Sequence, residues 1–233
     1  KGGAFGSSIN VLDSKNLNVN PEVTRNILAD QCSSLLSSYF KGKRLDNSIE
    51  KLSLEEKWKL FPIGLVEHNN NWVNYYKQER ELLSHLLYSL KPLKIHHVGS
   101  TYFEDIQAKN IVDILIEFKN LNDMHKACHL LSKCGYRVMF EENKQAALNK
   151  GYGSNGFEEK VFHIHLREKG DIDEVIFRDY LVSHSKERKE YESLKIALAK
   201  ENVNNRNRYT EMKTDFIVNV LNIAKNQKKI KTI

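Results

Sequence analysis

Residues 111–118 read Ile-Val-Asp-Ile-Leu-Ile-Glu-Phe, and no other segment of the chain restricts its fold so strongly. Apolar side chains fill all but two positions, and the run is too short for a buried helix. A nearly continuous apolar strand of this kind is covered on both faces. With mixed strand and helix in the middle of the chain and helices at its end, the order suggests a small sheet backed by helices and followed by a helical cap.

The flanking segments supply those layers. Ser53-Leu54-Glu55-Glu56 is a capping-box pattern that opens a short helix through Trp58, and Pro62 ends it. Ile63–Glu67 reads as a short strand. Asn69–Leu90 reads as a long amphipathic helix with Trp72, Tyr75, Tyr76, Leu82, Leu83, Leu86 and Leu87 on its apolar face. Ile95–Val98 is a strand running into Gly99-Ser100-Thr101. Leu121–Lys133 is a helix stopped by Gly135 in a left-handed cap position. Strands are expected at 136–140, 144–150 and 160–167, with a turn over Gly151–Gly156. From Ile172 to about Lys225 the spacing predicts three helices, broken near Ser183-His184 and Asn202–Asn205. The expected class is α/β (α+β): a small mixed sheet over about 60–170, backed by helices, and a helical cap over about 172–226. Residues 1–51 form an N-terminal extension, irregular and then helical after Asn20-Pro21, and 227–233 form a basic tail.

Composition narrows the function classes. The chain has 233 residues, 40% hydrophobic and 28% charged, with a net charge of +6. That supports one good-sized core with a well-solvated surface. The basic balance suits an anionic partner, but no densely basic face precedes the tail, so nucleic acid is not the expected one. No apolar run approaches the ~20 residues that span a bilayer. The first residues carry no signal-peptide core, and the odd set Cys32, Cys128 and Cys134 makes no disulfide framework. Cys128 and Cys134 are expected as buried free thiols, and the location as cytoplasmic.

Four groups of residues carry possible chemistry. A Gly99-Ser100 turn after a strand exposes backbone N–H groups and a hydroxyl, and can cradle phosphate. Asp113 on the next strand could then hold a divalent cation. The next residue on its face is Leu115, and Glu117 is the one after. The same residues equally suit a plain turn and a locally hydrogen-bonded aspartate. His163 and His165 share one strand face and could hold a transition metal with Asp113, or simply sit half-exposed on an edge. Arg178 could clamp an anion or form a helix salt bridge. Tyr209 and Lys213, four apart on a helix, could stack a base and neutralise phosphate, or pack inward and face water respectively.

Taken together, these stretches resemble the GrpB family. The segment His97–Thr101, then Ala108-Lys109 and Ile111–Leu115, resembles its first signature. Lys150-Gly151-Tyr152 with Asn155–Arg167 resembles the second. Phe177–Leu181, Tyr191 with Leu194-Lys195, and Tyr209 with Lys213 resemble the C-terminal part, and Phe61-Pro62, Glu67–Asn69 and Trp72 the opening. The resemblance covers about Leu52–Asn226. It departs after the turn, where Tyr102-Phe103-Glu104-Asp105 replaces a Pro- and Gly-containing loop, and where Asn110 replaces a proline.

The resemblance implies a nucleotidyltransferase-type fold. It implies a metal-dependent transfer of a nucleotidyl group from a nucleoside triphosphate to a small-molecule or protein acceptor. Gly99, Ser100 and Thr101 would hold phosphates. Asp113 would hold Mg²⁺ or Mn²⁺, completed by Glu117 or by His163 and His165. Lys109, Arg178 and Lys213 would neutralise phosphate, with Tyr209 near the base. Leu115, standing where such enzymes carry a second acid, keeps open a catalytically silent nucleotide- or partner-binding module on the same fold. Metal-assisted hydrolysis at Asp113, His163 and His165 is a third reading.

Overall fold

The computed structural model describes Ile49 and residues 51–230. The expected N-terminal helix, Cys32 and the last three residues of the tail lie outside the described residues. Helix α1 (Leu54–Leu60) opens on the expected capping box: Ser53 N donates to Glu56 Oε2 at 2.8 Å and Glu56 N donates to Ser53 Oγ at 3.2 Å. Ile63–Glu67 is not a strand. Its one β-bridge among the described residues joins Val66 to Ala108, because the neighbouring backbone groups turn elsewhere, Ile63 N donating to Val203 O.

Helix α2 (Asn71–Leu86) is shorter than its apolar pattern. A 3₁₀ turn over Tyr88–Leu90 follows, closed by Lys91 at φ 45°. Leu82, assigned to the apolar face, is exposed, while Glu79 is buried in its place. Glu79 accepts from Lys150 Nζ at 2.8 Å and from Tyr136 Oη at 2.5 Å, which offsets the desolvation of its charge.

Five strands follow: β1 (Lys94–Val98), β2 (Val112–Phe118), β3 (Arg137–Glu141), β4 (Gln145–Gly153) and β5 (Gly156–Glu168). They form one sheet in the order β1-β2-β5-β4-β3, with β2 and β5 parallel and the other pairs antiparallel. Helix α3 (Leu121–Lys133) connects β2 to β3. Asn120 caps it by accepting from Asp123 N at 3.0 Å, and Gly135 ends it at φ 89°.

One sheet face is apolar. Val112, Ile114, Ile116 and Phe118 pack with Leu148, Phe162, Ile164 and Leu166 against Trp72, Leu83, Met124 and Leu131 of α2 and α3. Each fully buried side chain of this size contributes roughly 1.5–3 kcal/mol of transfer free energy. The other face carries Asp113, Leu115 and Glu117 beside His163, His165 and Arg167. The C-terminal helices lie over it, with Val175 packed on Val98 and Leu115.

Those helices are α4 (Asp173–Ser183), α5 (Ser185–Glu201), α6 (Arg206–Glu211) and α7 (Thr214–Ile230). The breaks at His184 and Asn202–Asn205 fall as expected, and a further one at Met212-Lys213 splits the last helix. Helix α7 runs on to Ile230, so the first residues of the basic tail are helical. Cys128 is buried as expected, but Cys134 is exposed at the end of α3. No helix among the described residues is long and apolar enough to cross a membrane.

The expected turn over Gly151–Gly156 is a hairpin instead. Strand β4 continues to Gly153, and the register shifts between Lys150 and Tyr152. Gly151 has φ 87°, and a Cβ there would lie 2.1 Å from Lys160 O. Lys150 faces Glu79 on the apolar side. Two residues on, strand alternation alone would leave Tyr152 on that same side. The bulge turns it over, so that its hydroxyl reaches His163.

Candidate functional site

The site grows from the parallel pairing of β2 and β5, which sets Asp113 opposite His163. Alternation brings His165 to the same face. Asp113 Oδ1 lies 3.4 Å from His163 Nδ1 and 3.5 Å from His165 Nε2. Its other oxygen lies under the turn after β1. A Cβ on Gly99 would be 2.2 Å from Asp113 Oδ2, and Gly99 has φ 73°. Only glycine allows that carboxylate to approach the turn. Burial by itself would raise the Asp113 pKa, but the hydrogen bonds from His163 and His165 outweigh it and hold the group well below the usual carboxylate range.

His163 is fixed from its far side. Its Nε2 lies 2.7 Å from Tyr152 Oη, and Arg206 Nη2 donates to that same oxygen at 3.2 Å. Arginine can only donate, so the phenol accepts from Arg206 and gives its own proton to Nε2. That leaves the proton of a neutral His163 on Nδ1, directed at Asp113. Burial lowers the His163 pKa, in agreement with a neutral ring. His165 is flanked by Glu174, 3.9 Å from its Nδ1, and Glu174 accepts from Arg167 at 2.5 Å. Across β4, Asn149 pairs with His163, and its Oδ1 is buried with no donor among the described residues.

A cavity of about 490 Å³ opens between this face and the C-terminal helices. Gly99, Ser100, Asp113, His165 and Lys213 line its polar end, and Phe177 stands on the apolar wall. Asp171, Asp173 and Glu174 line its other end with Arg167 and Arg178, and a cluster of lysines gathers near Asp113. Burial, Lys213 and Arg206 push Lys109 down to about 7. Burial pushes Lys213 down to about 8 against the pull of Asp113. Among the described residues, neither lysine has a carboxylate within ion-pairing distance; both sit over the Tyr209 ring, at 5.4 and 4.4 Å. Lys195, buried on α5, donates to Gln107 O at 2.5 Å and lies 3.0 Å from Ser100 Oγ. Burial and Lys213 lower it to about 7.

The fold thus brings Gly99, Ser100, Asp113, His163, His165, Lys109 and Lys213 into one region. Of the rest, only Arg178 reaches the cavity. Glu117 lies four residues along β2 and is held by His96 Nε2 at 2.6 Å. Thr101 points inward to His97, 3.1 Å away. Arg178 lines the cavity, but its guanidinium is committed to His97 O at 2.7 Å and to Asp179 Oδ1. Tyr209 is buried between Ile63, Leu198 and Ala199, and no free ring face is left for a base. Sequence reasoning missed Lys195, Arg206, Tyr152 and Asn149. Lys195 and Tyr152 stood inside the quoted motifs, whereas Arg206 and Asn149 carried no signal at all.

Mg²⁺ prefers several oxygen ligands. Here one carboxylate is already engaged by two imidazoles and ringed by cations. Among the described residues no group of three or more His, Cys, Asp or Glu is disposed to hold a metal ion. The donor set does not fit a two-metal centre.

The family model described as GrpB protein matches residues 62–222. The chain belongs to the GrpB family. The glutamate-rich protein GrpB of Alkalihalophilus pseudofirmus is 32% identical over 165 residues, 68% of this chain and 93% of that protein. YqkA of Bacillus subtilis is 29% identical over 170 residues; the match spans 72% of this chain but only 48% of YqkA. The crystal structure of GrpB from Enterococcus faecalis superposes with a TM-score of 0.61 at 24% identity, covering 71% of this chain and 99% of that one. That likeness shows the GrpB fold: the five-stranded mixed sheet with helices on both faces.

Proposed function

We propose that this GrpB-family chain is a nucleotide-binding module that holds the phosphates of a nucleoside triphosphate without metal-dependent transfer. The observation that carries the reading is the clustering of Lys109, Lys213 and Arg206 around Asp113, at the end of the cavity that Gly99, Ser100 and Lys213 line. Buried ammonium groups without carboxylate partners are costly, and a polyanion offsets that cost. The Gly99-Ser100 turn adds backbone donors, and the apolar wall at Phe177 suits the organic part of the ligand.

A second reading, metal-dependent nucleotidyl transfer to a small-molecule or protein acceptor, is favoured by one feature. Asp113 Oδ2 lies directly against the Gly99 turn, where phosphates would sit. Mg²⁺ or Mn²⁺ would then bind only together with the triphosphate. The two readings part on the metal requirement. Thermal shift with each nucleoside triphosphate, in EDTA and with Mg²⁺ or Mn²⁺, separates them. A ligand at ~100-fold excess over its Kd adds roughly 2.7 kcal/mol. The module binds in EDTA, and Lys213→Met weakens that binding about 10-fold. Binding that requires the metal, with nucleotide turnover, moves the assignment to the transferase. No shift with any triphosphate overturns both.

A further inference from the structure

We propose that Ser100 is a base-activated nucleophile, that Lys195 is its proton acceptor, and that the pair transfers acyl groups from carboxylic esters entering the same cavity. This does not rest on the nucleotide reading. It needs only the serine, the lysine and the space in front of them.

Ser100 lines the cavity, immediately after the glycine against which Asp113 packs. Its Oγ is 3.0 Å from Lys195 Nζ, which comes from α5, far away in the chain. Lys195 is among the most deeply buried polar residues, 2% exposed. Two fixed partners hold the Lys195 nitrogen in place: it donates to the Gln107 carbonyl and to Ser100 Oγ. Once the amine loses a proton, its lone pair stands at the Ser100 hydroxyl. Gln107 is held in turn, its N–H donating to Glu192 Oε1 at 2.6 Å. Tyr191, one turn before Lys195, lies with its ring 5.0 Å from Nζ. A serine hydroxyl is a weak nucleophile until an adjacent base takes its proton. An ammonium held permanently in the charged state could not do so. The surroundings of Lys195 work against that charge: burial, together with Lys213, outweighs the carboxylate of Glu192.

The step balances without a cofactor. Ser100 Oγ bonds to the ester carbonyl carbon, and its proton passes to Lys195 Nζ. The bond from carbon to the leaving alcohol oxygen breaks, and that oxygen takes the proton from Lys195. Water then attacks the acyl-serine, releases the acid and restores the hydroxyl. Lys213, lining the same cavity, is the cation available to the developing oxyanion.

The test uses the full chain and a fluorophosphonate probe, which bonds to activated serine oxygens with loss of fluoride. Peptide mass spectrometry locates the adduct, and hydrolysis of a p-nitrophenyl ester reads turnover. Labelling at Ser100 is expected, absent in Ser100→Ala and slowed about 100-fold in Lys195→Met, the span of general-base catalysis. Its rate should rise with pH through about 7 and then level, as Lys195 loses its proton. Thermal melts establish that the variants are folded. If Lys195→Met does not fold, the pH profile of the unaltered chain decides. An unlabelled Ser100, an undiminished rate in a folded Lys195→Met chain, or a flat profile overturns the proposal.

Discussion

At the residue scale, the pair that organises the site is Gly99 and Asp113. The glycine is required twice over, by a φ of 73° and by a carboxylate oxygen that occupies the space of its missing Cβ. Gly99→Ala therefore incurs a left-handed backbone penalty and displaces Asp113 from His163 and His165. We expect a loss of at least ~2 kcal/mol by denaturant titration. Affinity for any anionic ligand should fall as well. A variant as stable as the parent would mean that the turn and the aspartate are not coupled. Lys195 makes the same point from the other side: a lysine buried beside a serine and a carbonyl is held for its chemistry or its donors, not for surface charge.

At the element scale, the decisive feature is the bulge in β4. A regular hairpin would leave Tyr152 on the side of Lys150 and Phe162. The extra residue at Gly151 turns the tyrosine toward His163 and Arg206 and so completes the chain of hydrogen bonds that ends at Asp113. Gly151→Ala places a Cβ 2.1 Å from Lys160 O at a φ of 87°. The bulge must open or the hairpin must shift register. The expected result is a loss of roughly 2–4 kcal/mol. The His163 ring signals in NMR should also move as the Tyr152 contact is lost. Unchanged His163 resonances would show that the bulge does not position the tyrosine.

At the scale of the whole molecule, the fold buries a cluster of lysines between a polar sheet face and a helical cap, and stability should report on it. Lys109, Lys195 and Lys213 titrate at about 7, 7 and 8 in the folded chain, against 10.5 for an ordinary lysine. Between about pH 7 and pH 10 the unfolded chain holds more protons at these positions than the folded one. Stability linked to these groups therefore rises with pH across that window, and the penalty is fully present below it. Melting temperatures taken from pH 6.5 to pH 9 should increase. Inorganic triphosphate should raise the melting temperature more at pH 6.5 than at pH 9, because a bound polyanion restores the protons. An equal response at both ends would sink the reading of the lysine cluster as an anion site.

Much of this was legible in the sequence. The apolar run at 112–118, the capping box at Ser53, the stop at Gly135 and the breaks at His184 and Asn202 are local effects, set by side-chain period, hydrogen-bond caps and backbone freedom. Strand alternation alone put His163 and His165 on one face. Other features needed the tertiary structure, because they depend on segments distant in the chain. The parallel pairing of β2 with β5 sets Asp113 against that histidine pair. The bulge at Gly151 reads locally as a turn, since a glycine with positive φ suits either; only its pairing with Lys160 shows which it is. Glu117 and Leu115 alternate correctly with Asp113, yet the strand rise carries Glu117 away to His96. Burial takes Tyr209 out of ligand reach, and Arg178 is spent on a backbone carbonyl. The packing of α5 and α6 over the sheet brings Lys195 and Arg206 to the site. Nothing local marks a lysine or an arginine as inward-facing until the opposing surface that desolvates it is in place.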